Sequence, residues 1–188
     1  MKGALIVVGV LVLLGLLLFM PLMSARNELV TEREGVTAAW SQVENVIQRR
    51  ADLIPNLVET VKGFAKQEQS VIDSVTKARA ALGGARTPEE KMAANDQIGG
   101  AIARLLVISE NYPQLKSNEN FMALQNELTG SENRISTERR KYNEVLQKYN
   151  TNIQVFPKNI AASLFGFQRN DAYFKVEPGA KEVPKVKF

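Results

Sequence analysis

Residues 39–65 read AWSQVENVIQRRADLIPNLVETVKGFA, and they decide how the chain folds. They hold its only Trp, an Arg pair and a Pro within an otherwise uninterrupted amphipathic pattern. Steps of three and four link Leu29, Val36, Trp40, Val43, Ile47, Ile54, Leu57, Val61, Phe64, Val71, Val75 and Leu82 into one apolar seam, the kind a helix buries in a bundle. Pro55 either kinks one long rod or marks a turn between two helices. A rod from Asn27 to Leu82 would far exceed ordinary helix lengths. Splitting it near Arg50 to Asp52 makes Asp52 an N-cap and puts Pro55 in the first turn, where its missing N–H costs little. A hairpin is therefore expected, although the seam keeps its register from Ile47 through Ile54 to Val61. In a single rod, Leu29 to Ile47 would lack cover and require oligomerisation through Trp40 and Val43.

Outward from this stretch the helical punctuation is clearer. Gly83-Gly84 is a stop, and Thr87-Pro88-Glu89-Glu90 is a start, with Thr as N-cap, Pro at N1 and Glu closing a capping box. Ile98, Ala101, Ile102, Leu105, Ile108 and Tyr112 share the next helix face, which ends before Pro113. Gly99-Gly100 lies within it and implies close packing against a neighbour. Ser117 or Asn118 caps a last long helix with Phe121, Leu124, Leu128, Ile135, Tyr142, Val145 and Tyr149 on its seam. The expected fold is all-α, an up-and-down four-helix bundle near residues 27–51, 53–82, 88–112 and 118–153. A short amphipathic segment with Ile160, Leu164, Phe165 and Phe167 follows, and from Lys175 a disordered tail is expected.

Ala4 to Met23 is a continuous apolar run of about the ~20 residues that cross a bilayer. A transmembrane anchor over 1–26, the bundle over 27–174 and the tail over 175–188 are the expected divisions. A cleaved signal peptide is the alternative, but Met23 puts a large residue where the small-x-small cleavage site needs a small one. Lys2 precedes the span and Arg26 and Arg33 follow it, a slight excess favouring a cytoplasmic bundle. A chain making four antiparallel passes returns to the membrane side, which would bring Phe156, Phe165, Phe167, Tyr173 and Phe174 near the headgroups, unless these rings merely close the open end of the core.

Composition excludes more than it assigns. Cys and His are both absent from the 188 residues, so thiolate sites, disulfides and Ser-His or Cys-His nucleophiles cannot be built. Neither catalysis nor a cofactor is expected. The net charge of +4 is spread among interspersed acids and bases, which leaves no patch for nucleic acid.

The run Ala39-Trp40-Ser41, Arg49-Arg50-Ala51-Asp52-Leu53-Ile54-Pro55-Asn56-Leu57-Val58, Thr60-Val61-Lys62 and Phe64-Ala65 resembles the signature of the LemA family of bacterial membrane proteins. Further matches are Glu110-Asn111-Tyr112-Pro113-Gln114-Leu115-Lys116, Phe121, Leu124, Glu127-Leu128, Glu132, Tyr142-Asn143, Tyr149-Asn150 and Phe156-Pro157. The resemblance implies a single-pass protein of the inner membrane with a short outer amino terminus and a helical domain of unestablished activity. Some bacteria encode family members beside membrane metalloproteases, which implies an envelope-maintenance setting.

Two functions from different classes remain: a structural or adaptor protein binding other membrane or envelope proteins, with self-association as one form of it, and a ligand-sensing or peptide-binding domain. A filled core favours the first and a large polar cavity the second. The repeated Tyr-Asn pairs, Tyr142-Asn143 and Tyr149-Asn150, suggest either a sugar or peptide site or core tyrosines with wet hydroxyls. Arg49 and Arg50 suit either an anionic ligand or the capping of a helical turn, with Arg50 neutralising Asp52. Arg33, Glu68 and Glu138 stand on otherwise apolar seams at similar depth. They are expected to meet in one layer, with the guanidinium between two carboxylates fixing helix register.

Overall fold

The computed structural model describes residues 2–174, and every regular element among them is helical: α1 Lys2–Phe64, α2 Gln69–Gly84, α3 Pro88–Ser109, α4 Pro113–Lys116, α5 Glu119–Asn152 and α6 Lys158–Phe165. The expected tail lies outside the described residues. The described residues form two compact units: the first comprises 2–40 with Lys141–Asp171, the second Ser41–Arg140 with 172–174.

The expected hairpin at Arg50 to Asp52 is not formed, because α1 continues through Pro55 to Phe64. A proline inside a helix removes the hydrogen bond to the carbonyl four residues earlier. That carbonyl, on Ala51, instead accepts from Arg79 Nε of α2 at 3.2 Å. The cost of Pro55 is thus offset from a neighbouring helix, and the seam register proves the better guide. The reversal comes at Ala65–Glu68, where Glu68 N–H donates to the Ala65 carbonyl at 3.1 Å and Tyr112 hydroxyl donates to the Glu68 carboxylate at 2.8 Å. At the reversal Ala65 and Ile72 are buried in place of Phe64 and Val71, and the expected seam resumes at Val75 and Leu82.

The other punctuation is as the sequence indicates. Thr87 Oγ1 accepts from Glu90 N–H, while the Glu90 carboxylate accepts from the Thr87 and Arg86 N–H groups, closing the capping box. Those two backbone donors hold the Glu90 carboxyl below its ordinary value. Asn118 Oδ1 accepts from Phe121 N–H and caps α5. The third expected helix ends earlier, at Ser109, and α4 forms a single turn from Pro113.

In the second unit, Arg50 meets Glu132 and Arg49 meets Glu127, whereas Glu59 and Thr60 lie beside Asn120 and Leu124; rising numbers on α1 meet falling numbers on α5. Glu44 pairs with Lys91 and Arg50 with Asn95, so α3 runs parallel to α1. This is up-and-down packing. Its interior is filled by Val43, Ile47, Ile54, Leu57, Ile72, Val75, Ile98, Leu105, Phe121 and Ile135, all almost fully buried.

In the first unit, Leu29 and Val36 of α1 are buried together with Tyr142, Leu146 and Tyr149 of α5. Trp40 meets Tyr142 edge to face at 5.6 Å, and a Cβ on Gly35 would lie 3.8 Å from Val145. The α1 seam here has intrachain cover, so the oligomerisation expected of a bare rod is not required.

Candidate functional site

The second unit is built around Arg50. The interval from Ile47 to Ile54 contains one further a/d position, and it is filled by Arg50, only 5% exposed. Its guanidinium donates to Glu132 of α5 and, at 3.4 Å, to Asn95 Oδ1 of α3, so one cation joins three helices. Asn95 is itself buried, and a Cβ on Gly99 would sit 3.7 Å from Arg50 Nη2. Alongside, Arg139 donates to Asp96 at 2.8 Å and lies over the Phe174 ring at 4.9 Å. Burial pushes the Arg50 guanidinium below its ordinary value, and the charge of Glu132 offsets part of that. Chemically the arrangement is a charge-assisted clasp.

The polar layer was expected around Arg33, Glu68 and Glu138; Arg33 belongs to the first unit and Glu68 and Glu138 to the second, and Arg33 and Glu68 have other partners. Arg33 is 56% exposed, near Glu34 at 3.9 Å and over the Phe167 ring at 5.5 Å. Glu68 serves Tyr112, and Glu138 is half-buried. Arg50 does not neutralise Asp52, whose carboxylate accepts from Gln48 Nε2 at 2.8 Å. With α1 unbroken there are no end carbonyls for the Arg pair to cap, and the exposed Arg49 reaches Glu127 at 3.5 Å. Glu127 closes one end of an open groove of about 500 Å³ lined by Asn56, Glu59, Thr60, Asn120, Ala123 and Leu124.

In the first unit the second Tyr-Asn pair holds down the chain after α6. Tyr149 hydroxyl donates to the Gln168 carbonyl at 2.9 Å, and the Asn150 amide both donates to the Asn170 carbonyl at 2.6 Å and accepts from its N–H at 3.0 Å. Lys158, at the start of α6, pairs with Glu28 at 2.9 Å and Glu32 at 3.1 Å; these contacts raise its pKa, and Lys158 lowers that of Glu28. Arg26 lies over Phe165 at 5.4 Å. Phe165 and Phe167 thus sit beside α1 arginines in this unit, and Phe174 belongs to the other.

The beginning of α1 contains a window of mean hydropathy 3.0, long and apolar enough to cross a membrane, with none of it buried within the protein. The LemA family model matches residues 39–188. The chain belongs to the LemA family. Two magnetosome proteins MamQ of Paramagnetospirillum magneticum are each 28% identical over 81% of the chain. The chain spans 65% of the length of each of these relatives. Protein LemA of Metamycoplasma hominis is 24% identical over 86% of the chain and 72% of its own length. The apolar start of α1 and LemA family membership together indicate a membrane-anchored helical protein.

Proposed function

We propose that this LemA-family protein is a non-catalytic adaptor of the bacterial envelope, held at the inner membrane by one span and offering its helical surface to other membrane proteins. The observation that supports this is the use made of Arg50: its guanidinium is spent joining α1, α3 and α5 inside a filled core. What remains for recognition is the outer surface, above all the groove from Asn56 to Thr60 against Asn120 to Glu127, where Glu59 and Glu127, paired with Lys62 and with Arg49 and Arg134, would exchange these exposed cations for those of a basic partner segment. The arginines after the span, Arg26 and Arg33, favour a cytoplasmic body. A membrane metalloprotease system is one candidate setting, and a second copy of the chain is another.

A second reading, a peptide- or ligand-sensing domain, draws on the polar lining of the same groove. Purification of the full chain from native membranes in mild detergent, beside a T60R/N120R variant that fills the groove, tests both. The adaptor reading expects a membrane protein at fixed stoichiometry with the parent and its loss with the variant. Recovery of the chain alone overturns it, and unchanged co-purification with the variant moves the partner surface elsewhere.

A further inference from the structure

α6 is amphipathic in an unusual sense. Ala161 and Ala162 face inward and are buried, while the opposite face carries Ile160 and Leu164, 52% and 65% exposed, in line with Phe156, 78% exposed, in the preceding turn. Three large apolar side chains turned outward on so short a segment need a cover that water does not supply. Their position names it. Phe156, Pro157 and Ile160 line an apolar groove of about 330 Å³ whose other wall is Leu17, Pro21, Leu22 and Ala25 of α1. Those α1 residues are the last turns of the stretch read as the membrane span, so the exposed face of α6 lies at the depth where that stretch leaves the hydrocarbon.

We infer that the segment from Val155 to Phe165 is a second membrane contact, in which Phe156, Ile160 and Leu164 enter the leaflet and one lipid acyl chain occupies the groove beside Pro21. The docking is apolar rather than electrostatic. Lys158 is occupied by Glu28 and Glu32, Arg169 by Asp171 at 2.5 Å, and Arg26 lies over Phe165. Such a contact does not require anionic lipid and is insensitive to salt. It fixes the return of the chain to the bilayer at two points of one unit, the span and α6, and so limits the tilt of the unit at the membrane surface.

The inference rests on the span reading, and the experiment separates the two. The chain lacks Cys, so single substitutions F156C, I160C and L164C can carry an environment-sensitive fluorophore in the full chain, reconstituted in phosphatidylcholine vesicles. L14C is the lipid-side reference and E34C the water-side reference on the same helix. The expected result is blue-shifted emission at 156, 160 and 164, quenched by nitroxides on shallow acyl carbons, not by iodide, and unchanged in high salt. Water-like emission there with lipid-like emission at 14 overturns the second contact and leaves the span intact. Water-like emission at 14 overturns both. Protection from iodide without quenching by lipid nitroxides assigns the face to protein and also overturns the inference. Circular dichroism of each labelled variant confirms that the helices are retained.

Discussion

Arg33 and Arg50 lie on the same helix, each at a seam position three or four residues from buried apolar neighbours, yet one is wet and the other dry. In the first unit Arg33 is exposed, with its guanidinium over the Phe167 ring, whereas in the second Arg50 is enclosed by α3 and α5. Seam position therefore does not decide the state of a charge; the number of helices closing over it does. Around Arg50 there are carboxylate and amide partners on two other helices, and around Arg33 there is one ring, against which the guanidinium rests while still in contact with water.

The sharpest break of this contrast is to orphan the buried cation. Glu132→Ala leaves Arg50 enclosed without its main counter-charge and is expected to cost about 3 kcal/mol, Asp96 compensating only in part. Arg50→Met instead leaves behind Glu132, whose side chain is half exposed, and its expected cost is smaller, about 2 kcal/mol. Thermal unfolding of the two variants gives the order, and equal or reversed costs would mean that the clasp is held by packing rather than charge.

A milder effect is expected at Lys158. Contact with Glu28 raises the lysine's pKa, so its contribution is fully present below the ordinary lysine value and lost as pH rises through the raised one. Glu28 is lowered, so its contribution is present above the ordinary carboxylate value and lost as pH falls through the depressed one. The stability difference between the parent and Lys158→Met should be flat across neutral pH and shrink at both ends. A difference independent of pH throughout would assign the contact to the lysine's hydrocarbon stem. The smallest effect is Arg33→Met, within about 0.5 kcal/mol, because an exposed cation gives up little when removed. A loss comparable to that of Arg50→Met would erase the contrast between the two sites.

Much of the fold was legible in the sequence because its signals are local. Thr87 to Glu90 fixes a helix start through bonds within a single turn, and Asn118 does the same for α5. The Ala65–Glu68 reversal was not legible: Lys66 and Gln67 are ordinary surface residues, and what holds the turn is Tyr112, far along the chain. Proline invited the wrong break because its cost is local while its remedy, Arg79, is tertiary. Arg50 was in plain view at the vacant heptad position between Ile47 and Ile54. It was hidden only by the turn assigned to it, which turned a core position into a helix end. The clamp from Tyr149 and Asn150 to Gln168 and Asn170 was out of reach for another reason, since its partners are backbone groups that carry no side-chain signature.

The bond from Arg79 to the Ala51 carbonyl also orders events in time. As the chain is made, α1 reaches Pro55 before Arg79 exists, so the Ala51 carbonyl gains this partner only once α2 has been synthesised and has folded back. The middle of α1 is then the part of that helix whose completion awaits later sequence, so a nascent chain halted between the two residues should be digested by protease near Ala51, and the full chain, with α2, α3 and α5 in place, should resist.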